Sequence, residues 1–264
     1  MTNNKEDYSK NKLVVFDLDE TLGYFSQLYV IWCSLIKLSK TQLSVNDFYK
    51  LSNNYIFYYQ PAIFETLRYL KENKIKTIIF TNNQALYWWP RLIALYLNYK
   101  TDRFDNLFKI VIGSYKIGNK LNDKRRTSNM KKYEDLKNIF KLDNNTKILF
   151  LDDQEHPEMR HPNVEYFKVP DYVKILPPTN IINIFLHSNF GKKFIQKNNI
   201  SINFFINYIY NSLNNHDLLT RSMININTNK NSCYQTLIAV KNFVKADIKT
   251  DIKTDIETDI KTES

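Results

Sequence analysis

The chain has 264 residues, of which 43% are apolar, so it is long enough for one domain with a substantial core and some additional segments. Its two cysteines, Cys33 and Cys233, are too few for a disulfide framework and too far apart for a metal knuckle, which predicts free thiols in a reducing compartment. The formal net charge is +10, and because residues 245–264 carry −2, residues 1–244 carry +12.

This basic charge predicts attraction to polyanions such as nucleic acid, or to acidic, phosphorylated protein partners. A lysine-rich surface without a specific partner is the alternative interpretation. The first twelve residues are polar, and no run approaches the roughly 18 apolar residues that a membrane-spanning helix needs. We therefore expect no signal peptide, no membrane partner, and an intracellular location in the cytoplasm or nucleus.

Short, mainly apolar runs alternate with helical patterns through much of the chain. Residues 13–16, 75–80 and 147–151 are typical of parallel strands that are buried on both faces, and residues 108–112 form a weaker strand. Ile63, Leu67 and Leu70 have helical spacing and follow Pro61, a residue suited to a first helical turn. Leu136, Ile139 and Phe140 have helical spacing before the last strand. The alternation predicts an α/β fold with three layers, a Rossmann-like, mostly parallel sheet between helices.

Three segments depart from this alternation. Residues 24–60 have the spacing of one or more helices, which predicts a helical insert that follows the first strand and covers the mouth of the site. Residues 189–244 are rich in Asn but apolar, which predicts a helical appendage of unknown role. Residues 245–264 repeat DIKT or DIET and are predicted to be disordered, the alternative being a helix that docks its isoleucines on a partner.

Acidic residues follow the first predicted strand in the segment VVFDLDETLG. Asp17 and Asp19 come directly after the strand, and ligands of open α/β sheets bind beyond the carboxyl ends of the strands. Two neighbouring carboxylates repel each other unless a cation lies between them. Mg²⁺ suits such an oxygen-only site and keeps room for substrate oxygens.

Two further strands end in polar residues of complementary chemistry. The strand in TIIFTNNQ ends in the hydroxyl of Thr81 and the amide of Asn82, and the strand in KILFLDDQE ends in Asp152 and Asp153. Three strand ends would thus present acids, neutral donors and acids at one edge of a sheet. This combination predicts a phosphoryl-transfer site with a metal held by the acids.

The order of these motifs resembles that of the haloacid-dehalogenase superfamily. Within it, the chain is similar to the NLI-interacting-factor-like group, phosphatases related to those that act on the C-terminal domain of RNA polymerase II. DLDETL at 17–22 is that group's form of the first motif, and Gln60-Pro61 resembles its entry to the helix before the second motif. Ala85, Tyr87 and Pro90 follow Thr81 at the group's spacing. The resemblance covers residues 11–188, and similar proteins are encoded by large DNA viruses, which would place this one in a host cell.

The resemblance implies catalytic roles for four residues. Asp17 would attack phosphorus and form an aspartyl phosphate, and Asp19 would protonate the leaving oxygen and then activate water. Thr81 would donate a hydrogen bond to a phosphoryl oxygen, and Lys131 would neutralise charge in the transition state. Lys132 is the alternative catalytic lysine.

The same resemblance implies a metal site and substrate contacts. Mg²⁺ would be held by the Asp17 carboxylate, the Asp19 carbonyl, and Asp152 or Asp153. Substrate contacts are expected from Thr21, which also orders the turn after Asp17, and from Asn82 and Lys132. The expected activity is that of a phosphoric monoester hydrolase, with phosphoserine or phosphothreonine in a protein as the preferred substrate.

Other functions stay open because the second motif, the fourth motif (Asp152-Asp153-Gln154-Glu155 where the group has Asp-Asn-Ser-Pro) and the segment 24–60 differ from the group's pattern. Asp153 stands where the group has Asn, and Asn82 where it has Ala. TNN and DD occur in branches that dephosphorylate small molecules or polynucleotide ends. A non-catalytic binding module on the same fold is a third hypothesis.

Several other residues near the motifs have two interpretations each. His156 and His161 are interpreted as loop residues beside the site, with a second metal site as the alternative. Trp88 and Trp89 are interpreted as core residues, with stacking on a substrate as the alternative. The basic run at 116–132 is either a rim that attracts an acidic substrate or a solvated loop.

Overall fold

A computed structural model describes residues 11–102, 106–215 and 230–246, with side chains in the last range from Tyr234 onward. The predicted disordered tail therefore lies almost entirely outside the described residues, and so does the side chain of Cys233. Cys33 is half-buried and free. Among the described helices, none is long and apolar enough to cross a membrane.

Five parallel strands form the central sheet of an α/β fold. Their order across the sheet is β3-β2-β1-β6-β7, with β1 in the middle. A two-stranded antiparallel hairpin, β4–β5, lies apart from this sheet. The strands are β1 (Lys12–Phe16), β2 (Lys76–Phe80), β3 (Phe108–Ile112), β4 (Lys116–Ile117), β5 (Lys120–Leu121), β6 (Lys147–Asp152) and β7 (Val164–Lys168).

Helices cover both faces of the sheet, as expected for apolar strands without polar alternation. Along β1, Val14 and Phe16 join one core cluster, whereas Leu13 and Val15 join the other. The second cluster is closed by α5, and the first by the remaining helices. The helices are α1 (Ser26–Leu38), α2 (Val45–Asn54), α3 (Ile63–Glu72), α4 (Trp88–Thr101), α5 (Tyr133–Phe140), α6 (Pro178–His187), α7 (Asn189–Asn198), α8 (Ile202–Asn214) and α9 (Lys230–Lys245).

The four strands predicted from apolar runs are β1, β2, β3 and β6, each within one residue of its predicted bounds. The helical spacing after Pro61 corresponds to α3, although this helix begins at Ile63 and Pro61 precedes its first turn. Parallel neighbours cannot be joined by a tight hairpin and usually need a helical crossover, which is why α3 precedes β2 and α4 precedes β3. The fold is compatible with a Rossmann-like arrangement.

The helices after residue 188 share the core of the sheet domain. Helix α8 packs on α1 and α9 packs on α3. The ammonium group of Lys12, at the start of the central strand, donates to the carbonyls of Phe243 (2.8 Å) and Val244 (3.1 Å) near the C-terminus of α9. The last carbonyl groups of a helix have no intrahelical partner, so the ammonium group of Lys12 satisfies two such carbonyls at the end of α9.

Candidate active site at the carboxyl ends of the strands

Three strand ends bring the predicted residues together in one cleft of about 200 Å³. Asp17 follows β1, Thr81 follows β2, and Asp152 ends β6. Because these strands are parallel and adjacent, their carboxyl ends meet at one edge of the sheet. The cleft is lined by Asp17, Asp19, Glu20, Thr81, Asn82, Asn83, Lys131, Asp152, Asp153, Gln154 and His156.

Three buried carboxylates form the centre of this cleft. One oxygen from each of Asp17, Asp152 and Asp153 lies within 4.8 Å of the others. Three acids so close together are unstable as anions unless cations compensate them. An all-oxygen cluster of this kind can hold a hard metal ion such as Mg²⁺.

Lys131 supplies one compensating cation. Its ammonium group donates to Asp17 Oδ1 and, at 2.6 Å, to Asp152 Oδ2, and its side chain is almost fully buried. Lys132, the alternative catalytic lysine, points away and pairs at 2.9 Å with the exposed Glu158. The structure therefore brings Lys131, and not Lys132, to the carboxylates.

The carboxylates that contact Lys131 have opposite pKa shifts. Burial raises the pKa of Asp17, and the charge of Asp152 adds to this effect against the opposing ammonium of Lys131. Burial also acts to raise the pKa of Asp152, but hydrogen bonds from His156 and Lys131 outweigh it and the pKa is lowered. Although burial opposes it, the two carboxylates raise the pKa of Lys131, so the ammonium form is favoured.

Asp19 lies outside the three-carboxylate cluster and has a different partner. Its Oδ2 accepts a hydrogen bond of 2.6 Å from the amide of Asn83. Burial, together with the charge of Asp17, raises the pKa of Asp19 to about 7. A carboxyl group with this pKa can be protonated near neutral pH and can therefore act as a general acid.

Asp153 is held from behind by Thr21. The buried hydroxyl of Thr21 donates to Asp153 Oδ1 at 3.1 Å. Burial and the charges of Asp17 and Asp152 raise the pKa of Asp153 to about 7. Thr21 was expected to contact substrate, but it lies below the cleft and is not among the residues that line it. Its hydroxyl instead orients a candidate metal ligand.

The loop after β2 is held by a buried arginine. Arg126 donates to the carbonyls of Thr81 (3.2 Å) and Gly113 (3.1 Å), to Asn82 Oδ1 (2.7 Å) and to the carbonyl of Asn129 (3.0 Å). Its guanidinium group lies over the ring of Phe80 at 4.7 Å. Arg126 thus joins the end of β2 to the segment that carries Lys131.

The three polar side chains of this loop, Thr81, Asn82 and Asn83, have different hydrogen-bond partners. Thr81 accepts from the Asn83 backbone at 3.0 Å, which leaves its hydroxyl hydrogen available to a ligand in the cleft. Asn82 lines the cleft, but its amide oxygen is used by Arg126. Asn83 contacts Asp19, as described above. The sequence motif thus predicted that this loop lies at the site, but Asn83 and not Asn82 makes the contact with Asp19.

The two histidines have structural contacts. His156 Nε2 lies 3.2 Å from Asp152 Oδ2, and the ring of His161 stacks on Tyr133 with 3.7 Å between centroids. His161 is not part of the metal-type cluster found in the described part of the chain, and neither is His156. His156 therefore supports Asp152 from the rim of the cleft.

The tryptophans belong to the core. Trp89 is 1% exposed and packs edge-on against Tyr29 and Phe48, and Trp88 is half-buried against the same cluster. The packing therefore supports the interpretation of Trp88 and Trp89 as core residues and does not support stacking on a substrate.

The insert does not cover the mouth of the site, contrary to expectation. It contains helices α1 and α2, but none of the described residues that line the cleft comes from 24–60. Helix α1 packs on α8, and α2 packs on α4, α6 and α7. The apolar stripe of α1, including Leu28, Ile31 and Leu35, is buried in the larger core cluster. An apolar face of this size requires burial, and helices α6, α7 and α8 provide it. Because the insert packs against these helices, it does not extend over the cleft.

Two residues that shape the cleft, Arg126 and Asn83, are not indicated by the sequence motifs. Arg126 stands in a basic run whose charges suggested exposure, and Asn83 has no chemistry that distinguishes it from Asn82. A weak signal for Arg126 was present, because it follows Arg125 where the run otherwise uses lysine, and buried multidentate contacts favour arginine.

A scan against protein-family models, a search of curated proteins and a search of solved structures each found no match for this chain.

Proposed function

We propose that this protein is a Mg²⁺-dependent phosphatase of the haloacid-dehalogenase type, which hydrolyses phosphomonoesters through a phosphate ester of Asp17. The observation that carries the proposal is the arrangement around Asp17. The ammonium group of Lys131 bridges Asp17 and Asp152, and the carboxyl group of Asp19, with a pKa near neutrality, lies beside Asp17. A nucleophile, a fixed cation and a separate acid are the parts that phosphoryl transfer needs.

In the first half-reaction a carboxylate oxygen of Asp17 attacks phosphorus, and the bond from phosphorus to the ester oxygen breaks. Lys131 holds Asp17 Oδ1, which fixes the orientation of the nucleophile. Asp19, positioned by Asn83, gives its proton to the departing oxygen, and the product is an alcohol. The hydroxyl of Thr81 donates to a phosphoryl oxygen.

In the second half-reaction water hydrolyses the phosphate ester of Asp17. Asp19, now ionised, takes a proton from the water as the water attacks phosphorus. The bond between phosphorus and the Asp17 oxygen breaks, and inorganic phosphate leaves. Lys131 stays between Asp17 and Asp152 and stabilises the negative charge in both steps.

The residues present fit a divalent cation. Lys131 compensates Asp17 and Asp152, whereas Asp153 has no cation among its hydrogen-bond partners in the described chain, and burial with two neighbouring acids raises its pKa to about 7. This surplus of negative charge suits Mg²⁺ held by the carboxylates of Asp17 and Asp152 or Asp153 and by the Asp19 carbonyl. When bound, the ion supplies charge neutralisation to the phosphoryl oxygens.

A macromolecular substrate fits this cleft better than a small one. No segment between 24 and 60 closes over the cleft, so a small ester would remain open to bulk water. A protein chain that carries phosphoserine or phosphothreonine brings its own surface to cover the site. The basic body of the chain favours an acidic phosphoprotein of this kind.

The test is release of phosphate from an aryl phosphate, a phosphoserine peptide and a 3′-phosphorylated oligonucleotide. We expect hydrolysis with Mg²⁺, loss with EDTA, and a loss of at least about a thousandfold in Asp17→Asn. Asp143→Asn, a change in an exposed loop, is the matched control and should keep full activity.

The outcomes separate the hypotheses. Preference for the peptide supports a protein phosphatase, and preference for the oligonucleotide would replace it with a polynucleotide-end phosphatase. Folded protein that hydrolyses none of the three substrates would reject catalysis in favour of a binding module.

A further inference from the structure

A second cleft adjoins the strand-end cleft and has about 230 Å³ of volume. The two clefts share Asn83 as a wall. Tyr87, the residue before α4, and Arg91 in the first turn of α4 form one side of the second cleft, and the segment after β3 forms the other side through Gly113 and Arg125. Any substrate that extends from the strand-end cleft past Asn83 enters this space.

The acid group marks the direction in which the leaving group departs. Asp19 accepts its hydrogen bond of 2.6 Å from Asn83, on the side of the shared wall. On the proposed function, Asp19 protonates the oxygen of the leaving group, so that oxygen lies close to Asn83. The atoms attached to this oxygen therefore continue toward the second cleft.

The walls of the second cleft carry a surplus of positive charge. The guanidinium group of Arg91 is exposed and has no polar partner among the described residues. Arg125 is fixed by donation to Asp123 Oδ1 at 2.8 Å and to the carbonyl of Val111 at 2.7 Å. Asp123 is the acidic residue that lines this cleft, and its carboxylate accepts hydrogen bonds from Arg125 and, at 3.0 Å, from the backbone N–H of Gly113. The adjacent hairpin adds exposed lysines at 116 and 120.

The size of the cleft favours a small occupant. About 230 Å³ is below the roughly 300–1,000 Å³ of pockets that enclose whole drug-sized ligands, so the cleft suits one short side chain better than an extended ligand. One carboxylate or phosphate on a short side chain fits. Tyr87, which is 62% exposed and one helical turn before Arg91, offers a ring against which the peptide can pack.

We propose that this second cleft is a specificity subsite in which Arg91 binds a second anionic side chain, a carboxylate or a phosphate, next to the scissile phosphoserine or phosphothreonine. The subsite selects acidic or multiply phosphorylated protein segments. The proposal rests on the proposed function, because it locates the leaving group from the role of Asp19.

The experiment measures kcat/KM for phosphoserine peptides in matched pairs. Each pair has Glu or phosphoserine against Gln or Ser at one flanking position, and the series moves that position from three residues before to three residues after the scissile phosphate. We expect one position at which the anionic peptide is preferred about fivefold, mainly through KM, as for a partly desolvated ion pair. In Arg91→Gln this preference should fall to about one, and Arg91→Lys should restore part of it.

The matched control is Arg68→Gln, on an exposed face of α3 that lines neither cleft, and it should keep the preference. Equal preference at every position, or an unchanged preference in Arg91→Gln, would overturn the subsite even while the peptides are hydrolysed. An effect of Arg91→Gln on a 3′-phosphorylated oligonucleotide and not on peptides would replace the acidic peptide with a nucleic acid. Failure to hydrolyse any peptide or the aryl phosphate would instead reject the proposed function.

Discussion

Two clefts in the described part of the molecule differ most in character. The larger, about 590 Å³, lies between α2 and α7 and includes Asp47, Lys50 and Lys193. The smaller, about 200 Å³, lies at the carboxyl ends of the strands. Size alone would direct attention to the larger cleft, whereas the buried charges lie in the smaller one.

The state of the carboxylates indicates which cleft is the candidate functional site. In the larger cleft burial acts on Asp47, but hydrogen bonds from Ser44 and Lys50 outweigh it and lower its pKa. Its ion pair with Lys50, at 3.0 Å, is largely open to solvent and belongs to the first turn of α2. In the smaller cleft burial and like charge raise the pKa of Asp17, Asp19 and Asp153. Perturbed carboxylates with a shared cation are typical of functional sites, and a satisfied helix cap is not.

Removal of Lys131 should have the largest effect on the smaller cleft. Lys131→Met leaves Asp17 and Asp152 buried against each other, and we expect about 3 kcal/mol lower free energy of unfolding and an activity loss of about a thousandfold. Denaturant unfolding and phosphate release measure the two effects.

Lys132→Met is the matched control for this prediction. Its pair with Glu158 is solvent-exposed, so we expect the free energy of unfolding to fall by less than about 0.5 kcal/mol and the activity to stay within about threefold of the parent. Equal effects of the two substitutions would contradict the assignment of Lys131 as the cation of the site.

Replacement of Arg126 should have the next largest effect. Arg126→Lys keeps the charge but cannot reach Thr81, Asn82, Gly113 and Asn129 together, so we expect about 2 kcal/mol of destabilisation and about tenfold lower kcat. Arg160→Lys, at a side chain that is 75% exposed, is the control and should change neither quantity. A variant with unchanged kcat would show that Arg126 does not position the loop that carries Thr81.

The stability of the metal-free protein should depend on pH in a direction set by Asp19 and Asp153. Their pKa values are raised to about 7 in the folded chain from an ordinary value of 3.8, so the folded state holds these protons more strongly than the unfolded state. The stability that they contribute is fully present below about pH 4 and is lost as the pH rises through 7.

Mg²⁺ should reverse this loss because it replaces the protons. We expect the rise in melting temperature on adding Mg²⁺ to be about 3 °C larger at pH 8 than at pH 5.5. Thermal melts followed by circular dichroism, with EDTA as the reference, measure it. Asp153→Asn should reduce this difference, and an equal Mg²⁺ effect at both pH values would contradict the assignment of these carboxylates.

The smallest effect is expected in the larger cleft. Lys193→Glu reverses an exposed charge there, and kcat/KM for the aryl phosphate should stay within about twofold of the parent value. A tenfold loss would place part of the active site in the larger cleft and would break the contrast between the two.

Local patterns were sufficient to predict four of the five strands of the sheet and the acidic and hydroxyl residues at their ends. Apolar runs indicated β1, β2, β3 and β6, because strands buried on both faces must be apolar along their whole length. Asp17, Thr81 and Asp152 were predicted at one edge because parallel strands present their carboxyl ends together. Three of the four predicted metal-binding residues, Asp17, Asp152 and Asp153, meet in the structure, whereas the Asp19 carboxyl group is bound by Asn83.

The sequence by itself therefore determined four of the five strands of the sheet and the polar residues at their ends, since each follows from residues that are neighbours along the chain; it did not indicate β7. The sequence favoured Lys131 over Lys132, and the tertiary structure separated the two by burying the ammonium group of Lys131 between Asp17 and Asp152. The tertiary structure also placed Arg126 under the loop after β2 and turned the insert toward the C-terminal helices. These arrangements depend on contacts between residues that are distant in sequence, where burial and charge compensation decide the outcome and local patterns give at most a weak signal.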